Sequence, residues 1–312
     1  MRCWLGTAGE WDYDLMMDYA AAVHQDDGNA NTSEEWLGDN RVGFAMASGG
    51  LAACGLLYTT SVVIIEKKWD DQTNDYAYYY EKENEALYNF CEATTELFRA
   101  PGIFIAQQNS GQATSLDQWG KSSLLAIRTR FSQGAVLFGD IMVVGALEYD
   151  AYQSMGEIGG FGVVPVPLYN GRASGDKYLT QIHVIGRPGA IGVNTKKFVE
   201  CTAFLNYVST HSTEILDDYY NYKLCYDIAG GAQGTVNMLK YIRLNVRTSF
   251  DKVFEDAIGV FHGEEAYDDK ILVIISGDGF ECETIRAQYA EIYDKKTNYL
   301  EVLVKYYETA GD

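Results

Sequence analysis

Histidine, cysteine and carboxylate side chains are where this chain would do covalent or metal chemistry, and their spacing argues against it. The four histidines, His24, His183, His211 and His262, form no HExxH and no other pair at metal-ligand spacing. The six cysteines, Cys3, Cys54, Cys91, Cys201, Cys225 and Cys282, are dispersed with no CxxC. Four of them sit in apolar stretches, where a thiol behaves as a small core hydrophobe, so neither a zinc site nor a disulfide framework is expected. There is no GxSxG, and no Ser or Cys stands in a nucleophile context. Carboxylate pairs such as Asp217-Asp218 and Glu264-Glu265 are plentiful, but a chain with 44 acidic residues produces them by chance. These residues predict no catalytic centre, no metal and no cofactor.

Two loops invite a ligand and fall short of a known pattern. Asp27, Asn29 and Asn31 have the alternate spacing of a calcium loop, yet Thr32 stands where Gly is needed and Gly38 where a bidentate Glu is needed. Ser48-Gly49-Gly50 follows a strand candidate and precedes a small-residue helix candidate, the place of a phosphate-binding turn. Without GxGxxG or GxxxxGK[ST] it reads as a turn where backbone approaches a ligand or a neighbouring element. The aromatic content is more telling. With 24 Tyr and 5 Trp, the chain is supplied for sugar or peptide recognition, since flat rings offer apolar area with a polar tip. Most of the tyrosines are expected to be half-buried on sheet and helix faces, leaving a few for a ligand.

Bulk composition bounds the partners. The 312 residues make one large or two ordinary domains, and 47% hydrophobic with 22% charged residues is enough to bury a core. Lys and Arg number 24 against 44 Asp and Glu, so the net charge of −20 argues against nucleic acid and anionic membrane, both of which require a basic face. No apolar run approaches the roughly 18 residues of a membrane span. The opening MRCWLGTAGEWDYD has no cationic segment followed by an apolar core, so it does not read as a secretory signal.

The elements that would position these residues alternate between short strands and helices. Residues 11–24 carry one apolar helical face, with Asp12 and Asp14 placed at its N-terminus. Strands are expected at 41–47, 134–138, 161–166 and 190–194, the third buried on both faces because FGVVPV is almost continuously apolar. Segment 66–81 is charged and Tyr-rich. Residues 83–98 form a strong helix with Ala86, Leu87, Phe90, Cys91, Thr94, Leu97 and Phe98 on one stripe, ended by Pro101-Gly102. Helices are further expected at 122–131, 141–152, 195–210 (Phe198, Cys201, Thr202, Leu205 and Val208 inward), 212–224, 234–246, 249–258, 280–293 and 296–308, with a β-rich run at 270–275. This alternation predicts an α/β architecture with a mainly parallel sheet.

The order of features between residues 131 and 224 resembles the extracellular solute-binding proteins of ABC importers, the carbohydrate-type family 1. Phe131 and Gly134 stand at the Phe and Gly places of its F-x-x-G-x-A strand, with Ala135 one place before its Ala. Gly162, Val163, Pro165 and Pro167 stand at its G-V-x-P-x-P strand, and Ala190, Gly192, Val193 and Asn194 at an A-I-x-V-N strand, with Phe204 and Tyr207 in the helix after it. Tyr219-Tyr220 followed by Lys223 looks like a YY-x-x-x-L-K stretch. Gly9-Glu10-Trp11 and Val42-Gly43-Phe44 match a G-x-W helix opening and a Y-G-F strand.

The resemblance implies a two-lobed periplasmic-binding-protein-like (type II) α/β fold with the second lobe nearly complete and the first partial. On this reading residues 1–155 are mostly second lobe, 156–210 bring returning strands and a helix of the first, and 211–312 are a C-terminal helical part packing on the second lobe and hinge. Family members begin with a signal peptide, often a lipid-anchored Cys, and most of the first lobe, so the whole protein is expected to start upstream of Met1 and to sit lipid-anchored outside the membrane. It implies a monomer that binds a sugar or oligosaccharide between its lobes and delivers it to the membrane permease. The residues just past strand ends are the expected contacts: Ser48, Gly49, Gly50, Phe138, Gly139, Asp140, Tyr169, His183 and Arg187, with Trp36, Trp69 or Trp119 stacking on a pyranose face. Phe138 as core, Asp140 as a helix cap and His183 as a sheet-face histidine are the plainer alternatives. A carbohydrate-active enzyme built on two facing carboxylates and a fragment without binding activity are the competing expectations.

Overall fold

The computed structural model describes residues 11–25, 41–47, 56–57, 59–81, 83–106, 127, 130–139, 161–170, 172, 177–181, 191–192, 194–228, 233–247 and 282–310. The chain divides into two compact units, each discontinuous in sequence. One is made of residues 1–4, 141–165 and 182–244, and the other of residues 5–140, 166–181 and 245–312.

The larger unit is built on helices over a small parallel sheet. Helix α1 (Tyr13–Val23) starts at Asp12, whose carboxylate accepts the Leu15 N–H at 3.1 Å, one of the donors a helix start leaves free. Strands β1 (Val42–Ala47), β4 (Ile103–Ala106) and β5 (Val136–Gly139) form the sheet in the order β4-β1-β5, with every pairing parallel. Between β1 and β4 the chain makes an antiparallel hairpin, β2 (Ile65–Asp70) and β3 (Asp75–Tyr80), and then helix α2 (Glu85–Arg99). Asn84 caps α2 by accepting the Leu87 N–H at 3.0 Å, and its amide donates to the Val63 carbonyl at 3.0 Å, tying the helix start to the run before the hairpin. α2 buries Leu87, Tyr88, Phe90, Cys91 and Leu97, while Ala86, expected on the inward stripe, is exposed and Tyr88 and Ala93 take its place.

Gly102, between α2 and β4, lies in the left-handed region at φ 79°, and its carbonyl accepts from both Gly43 and Phe44 N–H at 2.7 and 3.0 Å. α1 lies so close on β1 that a Cβ on Gly43 would overlap the backbone of Ala20. Glycine is the residue that permits this approach. Helix α5 (Cys282–Ala310) closes the unit over α2, burying Ile285, Tyr289 and Leu300 in the same core as Tyr13, Met16, Phe44, Phe90 and Tyr169. Two helices were expected here, but residues 294–298 contain neither Gly nor Pro, and Thr297 keeps its hydroxyl on the Tyr293 carbonyl at 2.9 Å, so the helix runs through. A last short parallel pair, β6 (Thr180–Gln181) with β7 (Val246–Arg247), belongs to this unit; β7 takes the end of what was expected to be a helix over 234–246.

In the smaller unit a long helix, α3 (Phe198–Asp218), passes into π-helical turns (Tyr219–Ile228) where two separate helices were expected, and α4 (Gln233–Leu244) follows. Arg243 of α4 meets Asp217 at 3.1 Å and lies 5.6 Å from the centre of the Tyr220 ring. The face of α3 expected to point inward is open: Phe198 is 60% exposed, Leu205 and Val208 are exposed, and no residue of the helix is buried.

Two expected strands are corrected. Residues 161–167 form no strand, because Pro165 and Pro167 remove two donors from the same edge of any ladder, and Gly162 and Val164 face solvent. The first pairing after them is the bridge of Leu168 to Asp12. At 190–194 the described residues make a turn, with the Thr195 N–H donating to the Gly192 carbonyl at 3.0 Å. The expected elements at 141–152, 249–258 and 270–275 lie outside the described residues, as does most of the helix expected over 51–58, of which 56–57 are helical, and most of 122–131, of which 127, 130 and 131 are helical.

Candidate ligand-binding site

Because β1, β4 and β5 run parallel, their carboxyl ends lie on one side of the sheet, with Ala47 opposite Ala106 and Ala45 opposite Gly139. Open α/β sheets meet ligands at that edge. Phe138 is the penultimate residue of β5, partly buried, with its ring 5.3 Å from that of Trp11 and tilted by 52°. Gly139 follows it and packs close to Phe131: a Cβ there would stand 3.3 Å from the ring.

Trp11 is held by the segment that returns to the unit at 166–181. Its N–H donates to the Tyr178 hydroxyl at 2.9 Å and its carbonyl accepts the Leu168 N–H at 3.1 Å, while the Tyr13 N–H donates to the Leu168 carbonyl at 3.0 Å. The Arg172 guanidinium donates to the Tyr169 carbonyl at 3.1 Å and stands 3.8 Å from the Asp12 carboxylate. Asn170 donates to Asp14 at 2.7 Å. The opening of α1 thus anchors the returning segment and holds the Trp11 ring against Phe138. Neither Trp11 nor Tyr178 was singled out as a ligand residue in the sequence, since the pairing that joins them spans 167 positions.

Of the expected contact residues, the structure brings Phe138 and Gly139 together at the end of β5. Tyr169 is 2% exposed and packs edge-on against Phe90, 5.7 Å between ring centres, within the core. Trp69 lies on the β2–β3 hairpin, 50% exposed, with its ring edge-to-face with Tyr76 at 5.2 Å. Ser48, Gly49, Gly50, Asp140, His183, Arg187, Trp36 and Trp119 lie outside the described residues, as do Asp27, Asn29 and Asn31 of the calcium-like loop.

The carboxylates with ion-pair partners meet cations rather than one another: Glu85 with Arg286, Asp217 with Arg243, Asp12 with Arg172 and Glu66 with Lys68. The Glu66 contact holds the Lys68 ammonium above its usual pKa. Burial pushes Tyr13 up, placing its phenol far above ordinary alkaline titration, and raises Tyr88 as well. Among the described residues no group of three His, Cys, Asp or Glu is placed to hold a metal ion, and no helix is long and apolar enough to cross a membrane. Comparison of the chain with protein-family models, curated proteins and solved structures returned no match.

Proposed function

We propose that this chain belongs to the substrate-binding component of an ABC importer, taking a neutral sugar or oligosaccharide at the carboxyl ends of its parallel strands and presenting it to a membrane permease. The observation that carries the reading is the Trp11–Phe138 pair at the end of β5, two partly buried rings, with the Trp11 backbone bonded to the Tyr178 hydroxyl and the Leu168 N–H. A ring fixed in this way offers a flat apolar face to the C–H side of a pyranose with little entropy left to lose. Asp140, two residues beyond Phe138, supplies a carboxylate to accept sugar hydroxyls.

The order of family-like features from residue 131 onward supports the same reading, as does a chain that alternates between two compact units. The type II two-lobed architecture, the lipid anchor and the extracellular location follow from the same proposal. The net charge of −20 favours an uncharged solute over a nucleotide or other polyanion.

A thermal-shift panel tests the proposal. Neutral mono- and oligosaccharides, amino acids and short peptides are each added to the chain. A rise in Tm with a sugar supports the reading; a response confined to amino acids or peptides, or a flat panel, contradicts it.

A further inference from the structure

Helix α3 carries a repeat that its own unit leaves unused. From Phe198, the positions Cys201, Leu205, Val208, Ser212 and Ile215 follow at alternating steps of three and four residues, the a/d seam of a heptad. The seam runs the length of the helix, 21 residues or three heptads. Such a stripe is narrower than the face a helix lays on a globular core, and it fits one partner helix lying alongside. Phe198 is 60% and Ile215 71% exposed, Leu205 and Val208 are exposed as well, and Cys201 and Ser212 are half-buried. Helix α4 meets α3 elsewhere: Arg243 pairs with Asp217, which stands at the heptad position farthest from the seam. The hydroxyls on and beside the seam are satisfied within the helix, Ser212 donating to the Ser209 carbonyl at 2.9 Å and Thr202 to the Phe198 carbonyl at 2.8 Å. Covering them strands no donor.

The charges at the two ends of α3 select the occupant and its direction. Lys196 and Lys197 precede the helix, and Glu214, Asp217 and Asp218 close it. A second copy of α3 laid antiparallel brings the basic end of each helix onto the acidic end of the other and opposes their macrodipoles. The heptad fixes the register. Phe198 faces Ile215 of the second copy, Cys201 faces its Ser212 and Leu205 its Val208, so the two-fold axis passes between Asn206 and Tyr207. In that same register Lys197 and Asp218, both at flanking positions of the seam, meet across the axis once at each end. A parallel pair would gather the lysines at one end and the acids at the other. The net charge of −20 opposes an anionic membrane or a nucleic acid as the cover.

We infer that α3 is a self-association surface, through which two copies of this chain pair as an antiparallel two-helix coiled coil. The inference does not rest on sugar binding, and it sets a dimer where the family resemblance implies a monomer.

Sedimentation velocity of the whole chain over a range of concentrations, at physiological salt, tests it. The expected result is a concentration-dependent dimer. Leu205→Glu, at a side chain already open to water, should weaken dimerisation about tenfold or more with an unchanged far-ultraviolet circular dichroism spectrum. Lys197→Glu and Asp218→Lys should each weaken it and, combined in one chain, restore it. A cross-link reads the register. Residues 201 and 212 are about 16 Å apart along one helix, too far to join within a chain, but they face each other between copies. Under oxidation Ser212→Cys should therefore give a covalent dimer on a non-reducing gel, and adding Cys201→Ser should abolish it. A chain that stays monomeric at every concentration overturns the proposal and leaves the seam to another segment or another protein. A dimer indifferent to Leu205→Glu overturns it too. So does a wild-type dimer cross-linked from Cys201 to Cys201, which requires a parallel pair, or a charge exchange that fails to restore association.

Discussion

The ring of Phe138 lies 5.3 Å from that of Trp11, which joins the end of a parallel strand to the residue just before the cap of a helix far away in sequence. The contact is tilted rather than sandwiched, the arrangement in which aromatic pairs attract beyond their buried area. A double-mutant cycle on Trp11→Leu and Phe138→Leu, read by urea unfolding, is expected to return a coupling of about 0.5–1.5 kcal/mol. Strictly additive effects would mean the rings are neighbours without being partners.

Gly43 is expected to tolerate no side chain. The Cβ of Gly43→Ala would enter the backbone of Ala20, which cannot swing aside as a side-chain tip would, so α1 must lift from β1. The expected loss is about 1–3 kcal/mol, seen as a lower urea midpoint with an unchanged slope. Gly134→Ala serves as the control: its φ of 74° makes it strained as well, but its Cβ meets nothing within 4 Å, so it should cost less.

Arg286 does two jobs at the seam between α2 and α5. It donates to both oxygens of Glu85 at 2.9 and 3.0 Å and lies 4.2 Å from the centre of the Tyr88 ring. Both charged partners are well exposed, so the ion pair contributes only about 0.5–1 kcal/mol and weakens with salt. Arg286→Ala, which loses the ring contact too, should therefore cost more than Glu85→Ala, and only the excess should survive in 1 M NaCl. Equal costs in high salt would remove the cation–π contribution.

Tyr13 predicts an alkaline limit to stability. Its folded pKa is raised above the ordinary value of 10.0, chiefly by burial, so the native state keeps the proton that the unfolded chain releases. Stability is full below pH 10 and falls as pH rises beyond it, because only the unfolded state gains by ionising. In Tyr13→Phe this contribution to the alkaline decline should vanish, leaving a flatter stability profile between pH 10 and 11.5. An unchanged slope would place the decline on other groups.

Helix ends and amphipathic stripes were legible wherever local chemistry decides them. Asp12 caps α1 as its position suggests, and α2 buries Leu87, Phe90, Cys91 and Leu97 on the face their spacing defines. The strands at 42–47 and 136–139 also followed from short apolar runs beside glycine. Reading failed where pairing rather than composition decides. FGVVPV is apolar enough for a buried strand, yet its prolines withhold the donors a ladder needs. The stripe on α3 is present in sequence, but its apolar positions are exposed, since periodicity states which face wants cover and not whether cover arrives. By composition the β2–β3 hairpin shows only as a charged, Tyr-rich segment. Its period of two at Tyr76, Tyr78 and Tyr80, after an Asp- and Asn-containing turn with Asn74 at φ 54°, was the signal that identifies it. Of the candidate site, Phe138 was legible from its place at a strand end. Trp11 and Tyr178 were not, because only tertiary pairing brings them there.

Isothermal titration of the chain with the sugar that ranks highest in the thermal-shift panel, run in parallel on Phe138→Ala, decides whether the ring pair at the end of β5 binds sugar. Saturable one-to-one binding is expected in the wild type and affinity at least tenfold weaker in the variant, with far-ultraviolet circular dichroism showing both folded. Equal affinity in wild type and Phe138→Ala, or no heat from any neutral sugar, would contradict it.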